Sequence, residues 1–321
     1  MLGTNIGIDL GTSSVAIYVE GKGVVLNEPS VVAYDSNGKI KAVGKKAAEM
    51  SGRNPSSITV VKPVEYGVVS DFTATRHMVQ YFMTKICKNM IFKPNVVVCI
   101  PSMVTQLEKR TILDLVTASG AARACLIEEP LAAALGAGID SNRHKGVMVV
   151  DIGAGTTDIA VITRGSVSLS DTVRVAGNAL DEAIMRQLRM EKDVVIGKET
   201  AEEIKKKIGS AIYRDVELGL TIKGKSYITN QPVYSEVTSS EVFLAMRPKL
   251  LEMVEAIKKV LSQTPPELSA DILDSGIYLT GGGAMLRGIS KMISEKIGVK
   301  TVVPADSLNC VALGAGKALS L

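Results

Sequence analysis

Two stretches of the chain carry the residue types that hold a phosphate chain. Residues 6–19 read IGIDLGTSSVAIYV, and residues 149–162 read VVDIGAGTTDIAVI. Each is an apolar strand, an Asp, a Gly-containing turn rich in Thr or Ser, and a second apolar strand. That pattern is a β-hairpin with a small polar tip. Glycine turns leave backbone N–H groups exposed and let the main chain approach phosphate oxygens closely. The tips Gly11-Thr12-Ser13-Ser14 and Gly153-Ala154-Gly155-Thr156-Thr157 add hydroxyl groups to those donors. Facing each other across a cleft, they would clamp a triphosphate from both sides. Asp9 and Asp151 end the first strand of each hairpin, 142 residues apart. Mg²⁺ keeps most of its waters and needs one or two carboxylates beside phosphate oxygens, which such a pair supplies. A strand-end Asp can also simply cap a turn. The duplication favours the metal reading.

Two further clusters are ambiguous by themselves. Gly281-Gly282-Gly283 follows a strand and precedes a helix. It suits either a flat backbone surface against a base or ribose, or a tight strand–helix turn. Glu128-Glu129-Pro130 sits at a strand-to-helix junction. A carboxylate there can orient an attacking water, or it can simply favour the positive end of the helix.

The elements that must position these groups alternate. Strands are expected at 23–26, 31–34, 58–61 and 96–100, with a short helix at 42–50. Helices are expected at 73–89, with Met78, Phe82 and Ile86 four apart, and at 105–119, ended by Gly120. An Ala-rich helix over 131–137 is led by Pro130, a favoured first-turn residue. The second half repeats this logic. Helices are expected at 180–190, at 200–212 and at 239–262, the last interrupted or kinked near Pro248. Strands fill 216–237 around turns at 223–225 and 229–232. A strand at 277–280, a helix at 285–297, a strand at 299–303 and a closing helix at 311–319 follow. The architecture is α/β with a buried sheet in each of two related lobes.

Composition excludes several classes. Apolar residues are 46%, charged residues 22%, and the net charge is +4, which fits neither a polycationic nucleic-acid binder nor a disordered chain. There is no Trp and aromatics are 4%, too few for single-strand stacking platforms. No apolar run approaches the ~18–20 residues of a membrane span. The N-terminus does not read as a signal peptide, since Asp9 interrupts its apolar core. Cys87, Cys99, Cys125 and Cys310 form no CxxC spacing, and Cys99 reads as a reduced core residue. His77 and His144 have no ligand-like neighbours. These features fit a reducing cytoplasm.

Taken together, these residues resemble the actin/Hsp70/sugar-kinase superfamily, and within it the MreB/Mbl group of bacterial actin homologues. The resemblance spans the whole chain. It is carried by IGIDLGTSS (6–14), NEPSVVA (27–33), KPVEYGVVSDF (62–72), VCIPSMVTQLEKRTILDLVTASGA (98–121), IEEPLAAALGAG (127–138) and the second glycine loop. GNALDEAI (177–184), AEEIKKKIG (201–209) and TPPELSADILDSGIYLTGGGAMLRGI (264–289) complete it.

The resemblance implies an actin-like fold, two lobes each with an RNase H-like α/β core and a smaller inserted subdomain. Subdomain IA would take 1–32, 67–142 and 305–321, IB 33–66, IIA 143–178 and 239–304, and IIB 179–238. ATP and Mg²⁺ would lie in the cleft. Glu129, with Glu128 as the alternative, would polarise the attacking water, helped by Thr156, with Asp151 beside them. Asp9 and Asp151 would serve the metal. Gly11, Thr12, Ser13, Gly153, Gly155, Thr156 and Thr157 would bind phosphates. Lys62, Gly177, Glu202, Lys205, Gly281, Gly282 and Gly283 would complete the nucleotide site. Lys62 stands where the family usually has Arg, so the guanidinium fork is lost. Ala154 replaces a usual glycine, Asp158 stands where Glu is common, the first tip reads Thr-Ser-Ser-Val, and 210–238 is short. The departures mark a divergent paralogue.

The family implication for function is an ATPase that polymerises into paired protofilaments, lies on the inner face of the cytoplasmic membrane, and works with membrane proteins of the cell-wall elongation machinery to set cell shape. No nucleic-acid partner is expected. The first strand begins almost at once, leaving no N-terminal anchor helix. Met90-Ile91-Phe92, between Lys88 and Lys93, is then the membrane-contact candidate, against the plainer reading of a loop tucked onto the core. The alternatives are a small-molecule kinase, which would need a sugar-binding insert, and a monomeric Hsp70-like ATPase, which would need a substrate domain beyond Leu321.

Overall fold

The aspartates that end the two glycine-tipped hairpins occupy matching places in two sheets of one design. A computed structural model describes residues 4–52, 55–88, 91–139 and 145–319. In lobe I, Asn5–Leu10 is the central strand. It pairs antiparallel with Ser14–Val19, which pairs antiparallel with Gly23–Pro29. On its other side it pairs parallel with Asn95–Ile100, and that strand with Arg123–Glu128. In lobe II, Val147–Ile152 is central. Thr157–Thr163 and Ser166–Val173 follow antiparallel on one side, and Ile277–Thr280 and Thr301–Val302 parallel on the other. Three meandering strands plus two parallel ones recur in the same order, so the sequence repeat is a repeat of topology.

Both central strands are flanked on each side and covered by helices, which explains their continuous apolar runs. Asp71 caps the Phe72–Cys87 helix by accepting from the Ala74 N–H at 2.9 Å. Thr105 and Glu108 form a capping box at the start of Gln106–Ala118, and Thr238 and Glu241 do the same for Ser239–Gln263. That last helix continues through Pro248, so of the expected interruption or kink the interruption does not occur. Packing along its buried face, from Val242 to Val260, outweighs one missing donor.

Each lobe carries a smaller sheet. Val32–Asp35, Ile40–Val43 and Ile58–Val61 form one. Val194–Val195, Gly219–Ser226 and Pro232–Thr238 form the other. The expected turn at 223–225 is strand interior: Lys223, Gly224 and Lys225 pair with Tyr234, Val233 and Pro232. Gly224 is there because a Cβ would lie 2.5 Å from Val194 Cγ1. Pro266–Ser275, which periodicity passed over, is a further helix led by prolines. The helix expected over 285–297 begins instead as a 3₁₀ turn at Gly282–Met285 and resumes at Ile289–Ile297.

The lobes meet at two glycine- and alanine-rich helices, Glu129–Gly136 and Cys310–Ala318. A Cβ at Gly314 would lie 1.7 Å from the Ala132 carbonyl oxygen, and one at Gly136 1.8 Å from that of Cys310. Backbone therefore packs on backbone. Cys99 (2% exposed) and Cys310 (1% exposed) lie in the same cluster as Val97, Val149 and Ala160, between the two sheets.

Candidate functional site

The two tips converge. In lobe I, the Gly11 N–H donates to the Ser14 carbonyl at 3.1 Å, and Ser30 Oγ donates to the Gly11 carbonyl at 2.6 Å. In lobe II, the Gly153 N–H donates to the Thr156 carbonyl at 2.9 Å. Across the cleft, a Cβ at Gly155 would lie 2.7 Å from Thr12 Oγ1 and 2.9 Å from Tyr66 Cα. Only glycine allows that approach. The first tip is partly open and the second more enclosed, with Thr156 at 7% and Thr157 at 0% exposure. Thr157 donates its hydroxyl to the Val175 carbonyl at 2.7 Å, so its side chain serves the framework rather than the cleft.

Asp9 and Asp151 reach the cleft together. The Asp9 carboxyl is raised to about 7, first by burial and then by the Asp151 charge. The Asp151 carboxyl is raised to about 6, because burial and Asp158 outweigh the hydrogen bond donated by Thr280 Oγ1 at 2.6 Å. Neither forms an ion pair among the described residues. Glu129 is 7% exposed at the first turn of its helix. Burial raises it well above the usual carboxylate range, and the charges of Asp158, Asp9 and Asp151 add to that. Glu128 remains on the preceding strand as N-cap, without a side-chain capping bond.

Asp158 is the acidic residue that the hairpin register adds. It lies directly opposite Asp151 across the second hairpin. It is fully buried and accepts from Thr172 Oγ1 at 2.6 Å. Burial raises it against the pull of its hydrogen bonds with Thr172, Thr156 and Ser102. Its spacing from Asp151 around a short tip was the available signal.

The second tip docks on a helix. The Gly177 and Asn178 N–H groups donate to the carbonyls of Gly153 and Ala154 at 3.1 and 2.8 Å. Lys205 Nζ, only partly exposed, pairs with Asp181 Oδ1 at 2.8 Å and donates to the Gly177 carbonyl at 2.9 Å. Lys205 thus ties the Lys198–Ile208 helix to Gly177–Lys192. Glu202 pairs with Lys206 at 2.7 Å. Burial raises its carboxyl, but Lys206, Lys205 and Lys62 together hold it below the ordinary value. Lys62, exposed in the inserted part of lobe I, therefore acts across the cleft on Glu202.

The three glycines divide. A Cβ at Gly281 would meet the Ile152 carbonyl oxygen at 2.4 Å, and one at Gly283 would meet Ile152 Cγ2 at 2.2 Å. These two make the tight turn onto the Asp151 strand. Gly282 is open, with Leu308 Cδ1 3.6 Å away.

Ile91 and Phe92 are 91% and 52% exposed. They do not tuck onto the core. Met90, the third residue of that candidate, lies outside the described residues. No helix among the described residues is long and apolar enough to cross a membrane. Among them, too, no group of three or more His, Cys, Asp or Glu could hold a metal. A cation at Asp9 and Asp151 would need phosphate and water oxygens to complete its shell.

Comparison with known proteins agrees over the full length. The family model described as MreB/Mbl protein matches residues 3–321. The cell shape-determining protein Mbl of Bacillus subtilis (strain 168) is 42% identical over 318 residues, covering 98% of this chain and 96% of the relative. The cell shape-determining protein MreB of Escherichia coli (strain K12) is 42% identical over 328 residues, covering 100% of this chain and 94% of the relative. The crystal structure of MreB5 of Spiroplasma citri bound to ADP superposes with a TM-score of 0.94 at 34% identity, covering 99% of this chain and 98% of that one.

Proposed function

The chain belongs to the MreB/Mbl family and has the actin-like fold, and from that premise we propose that it binds and hydrolyses ATP and assembles into membrane-associated filaments that govern cell shape. The observation that carries the nucleotide part is the convergence of the two tips, with Gly155 packed against Thr12 and Tyr66. The ADP held by the Spiroplasma MreB5 structure supports the same site.

The phosphates lie between Gly11-Thr12-Ser13 and Gly153 to Thr156, bound by backbone N–H groups. The adenosine lies toward Gly282, Glu202 and Lys205. The acidic pair fits Mg²⁺: the Asp151 charge adds to burial in raising Asp9, burial and Asp158 raise Asp151, and neither carboxylate has an ion-pair partner among the described residues. Held there by Asp9 and Asp151 through the phosphates and waters, such an ion would supply positive charge against the triphosphate. Glu129 accepts a hydrogen bond from the attacking water and aligns it, with Thr156 beside it. A buried carboxylate among like charges is a base held ready for that proton.

Assembly and membrane contact rest on family likeness and on one surface feature. Ile91 and Phe92 stand exposed between Lys88 and Lys93, a pairing that suits anionic lipid. Repetition along a filament multiplies a weak contact. The partners are further copies of the chain, the inner face of the cytoplasmic membrane, and membrane proteins of wall elongation. The limits proposed for the subdomains are IA 1–32, 67–142 and 305–321, IB 33–66, IIA 143–178 and 239–304, and IIB 179–238.

The test is electron microscopy of the purified protein on an anionic lipid monolayer with Mg-ATP, alongside phosphate release. Paired filaments on the lipid and phosphate release rising above a threshold concentration are expected. Dispersed monomers at every concentration, with turnover proportional to protein, would favour the monomeric ATPase.

A further inference from the structure

We infer that Tyr66 and Arg174 form a cross-cleft tie that positions the two phosphate tips and limits how fast nucleotide leaves. The inference rests on the nucleotide reading above and concerns residues to which that reading gives no role.

Four observations converge on the Tyr66-Gly67 corner. It joins two short antiparallel strands, Val64–Glu65 and Val68–Val69, in lobe I. Tyr66 and Gly67 have φ +50° and +73°, the left-handed pair that a two-residue hairpin turn requires, which fixes where the Tyr66 backbone and ring sit. The Gly67 N–H donates to Thr12 Oγ1 at 2.8 Å, fixing the side chain of the first tip. The Tyr66 backbone bears on Gly155 of the second tip, where a Cβ would lie 2.9 Å from Tyr66 Cα and 3.1 Å from its nitrogen. One corner thus touches both tips.

From lobe II, the Arg174 guanidinium carbon lies 5.1 Å from the Tyr66 ring centroid, within cation–π range. Arg174 directly follows the Ser166–Val173 strand, whose Thr172 holds Asp158. Its charge also acts on Glu108, in the capping box of a lobe I helix. Arg174 therefore reaches toward lobe I at two points. Opening the cleft to release nucleotide must separate Gly155 from Tyr66, and so Arg174 from the ring. The tie is weak enough to break and sits where breaking it matters. At half exposure such a contact is worth less than a buried one, so the effect on release is about three- to tenfold.

The experiment is stopped-flow release of a fluorescent ATP analogue, with Mg²⁺, from the full chain. Tyr66→Asn keeps a residue that tolerates the left-handed backbone and removes the ring; Arg174→Ala removes the cation. Each is expected to speed release about three- to tenfold. The double variant is expected to be no faster than the faster single. Tyr66→Phe, which keeps the ring face, is expected to release at the wild-type rate, a rescue that a generally loosened fold would not give. Wild-type rates in both single variants would overturn the tie while leaving nucleotide binding intact. So would effects that multiply in the double variant. Failure of the wild-type chain to bind the analogue would overturn the nucleotide reading, and the tie with it.

Discussion

Asp151 and Asp158 stand directly opposite one another across the second hairpin, both buried, one hydrogen-bonded to Thr280 and the other to Thr172. In the first hairpin, Asp9 stands opposite Ala16 instead. The duplicated sheets are therefore not electrostatically equivalent. Lobe II carries the extra carboxylate, whose charge acts on Asp151 beside it and on Glu129 at the junction of the lobes. Removing Asp158 removes a charge that raises both Asp151 and Glu129. Asp158→Asn is expected to move the acid limb of the pH–rate profile to lower pH. An unchanged limb would show that Asp158 does not reach the reacting groups.

Glu129→Gln keeps size and burial and loses the base. Phosphate release is expected to fall by about 10²–10⁴-fold, the usual share of a positioned general base. Affinity for ATP is expected to stay within about threefold. Single-turnover hydrolysis beside equilibrium binding separates these. Retention of most of the rate would move the role to Glu128.

The elevation of Asp9 and Asp151 makes stability depend on pH with a definite sign. Their native pKa values, about 7 and about 6, exceed the ordinary aspartate value of 3.8. The native state therefore binds more protons between roughly pH 4 and 7, and stability without nucleotide falls as pH rises through that window. The slope approaches about 1.4 kcal/mol per pH unit for each extra proton. Asp9→Asn removes its part. Its melting temperature relative to wild type is expected to climb from pH 5 to pH 7.5. Thermal scans in which the two proteins stay parallel across the window would contradict the raising of Asp9 by burial and by the Asp151 charge.

Gly314→Ala tests the contact between the lobes. The added methyl would land 1.7 Å from the Ala132 carbonyl oxygen, which the helix pair cannot absorb without moving apart. Overpacking of this kind costs about 1–3 kcal/mol. Urea denaturation is expected to report a loss in that range or failure to fold, whereas Gly282→Ala, at the open glycine, is expected to be nearly neutral.

Changing Ile91 and Phe92 to Ser removes the exposed apolar pair without touching a core contact. Sedimentation with anionic vesicles is expected to drop severalfold while filaments still form in solution. Undiminished sedimentation would place membrane contact elsewhere on the molecule.

The sequence by itself determined the duplication, the two glycine-tipped hairpins and the α/β alternation. These are local: strand runs, turn glycines and caps such as Asp71 and Thr105 act over a few residues, and their signals survive in one dimension. The Asp that ends each central strand was legible for the same reason. Tertiary structure decided what depends on partners far along the chain. Gly281 and Gly283 are turn glycines because Ile152 lies against them. Lys205 binds Asp181 and the Gly177 carbonyl because two helices cross, and Lys223 to Lys225 are strand because Pro232–Thr238 pairs beside them. Tyr66 gained a place only when folding brought Thr12, Gly155 and Arg174 to one corner. Its left-handed backbone belongs to the two-residue hairpin turn it forms with Gly67, but no spacing in the sequence announces the neighbours that meet there.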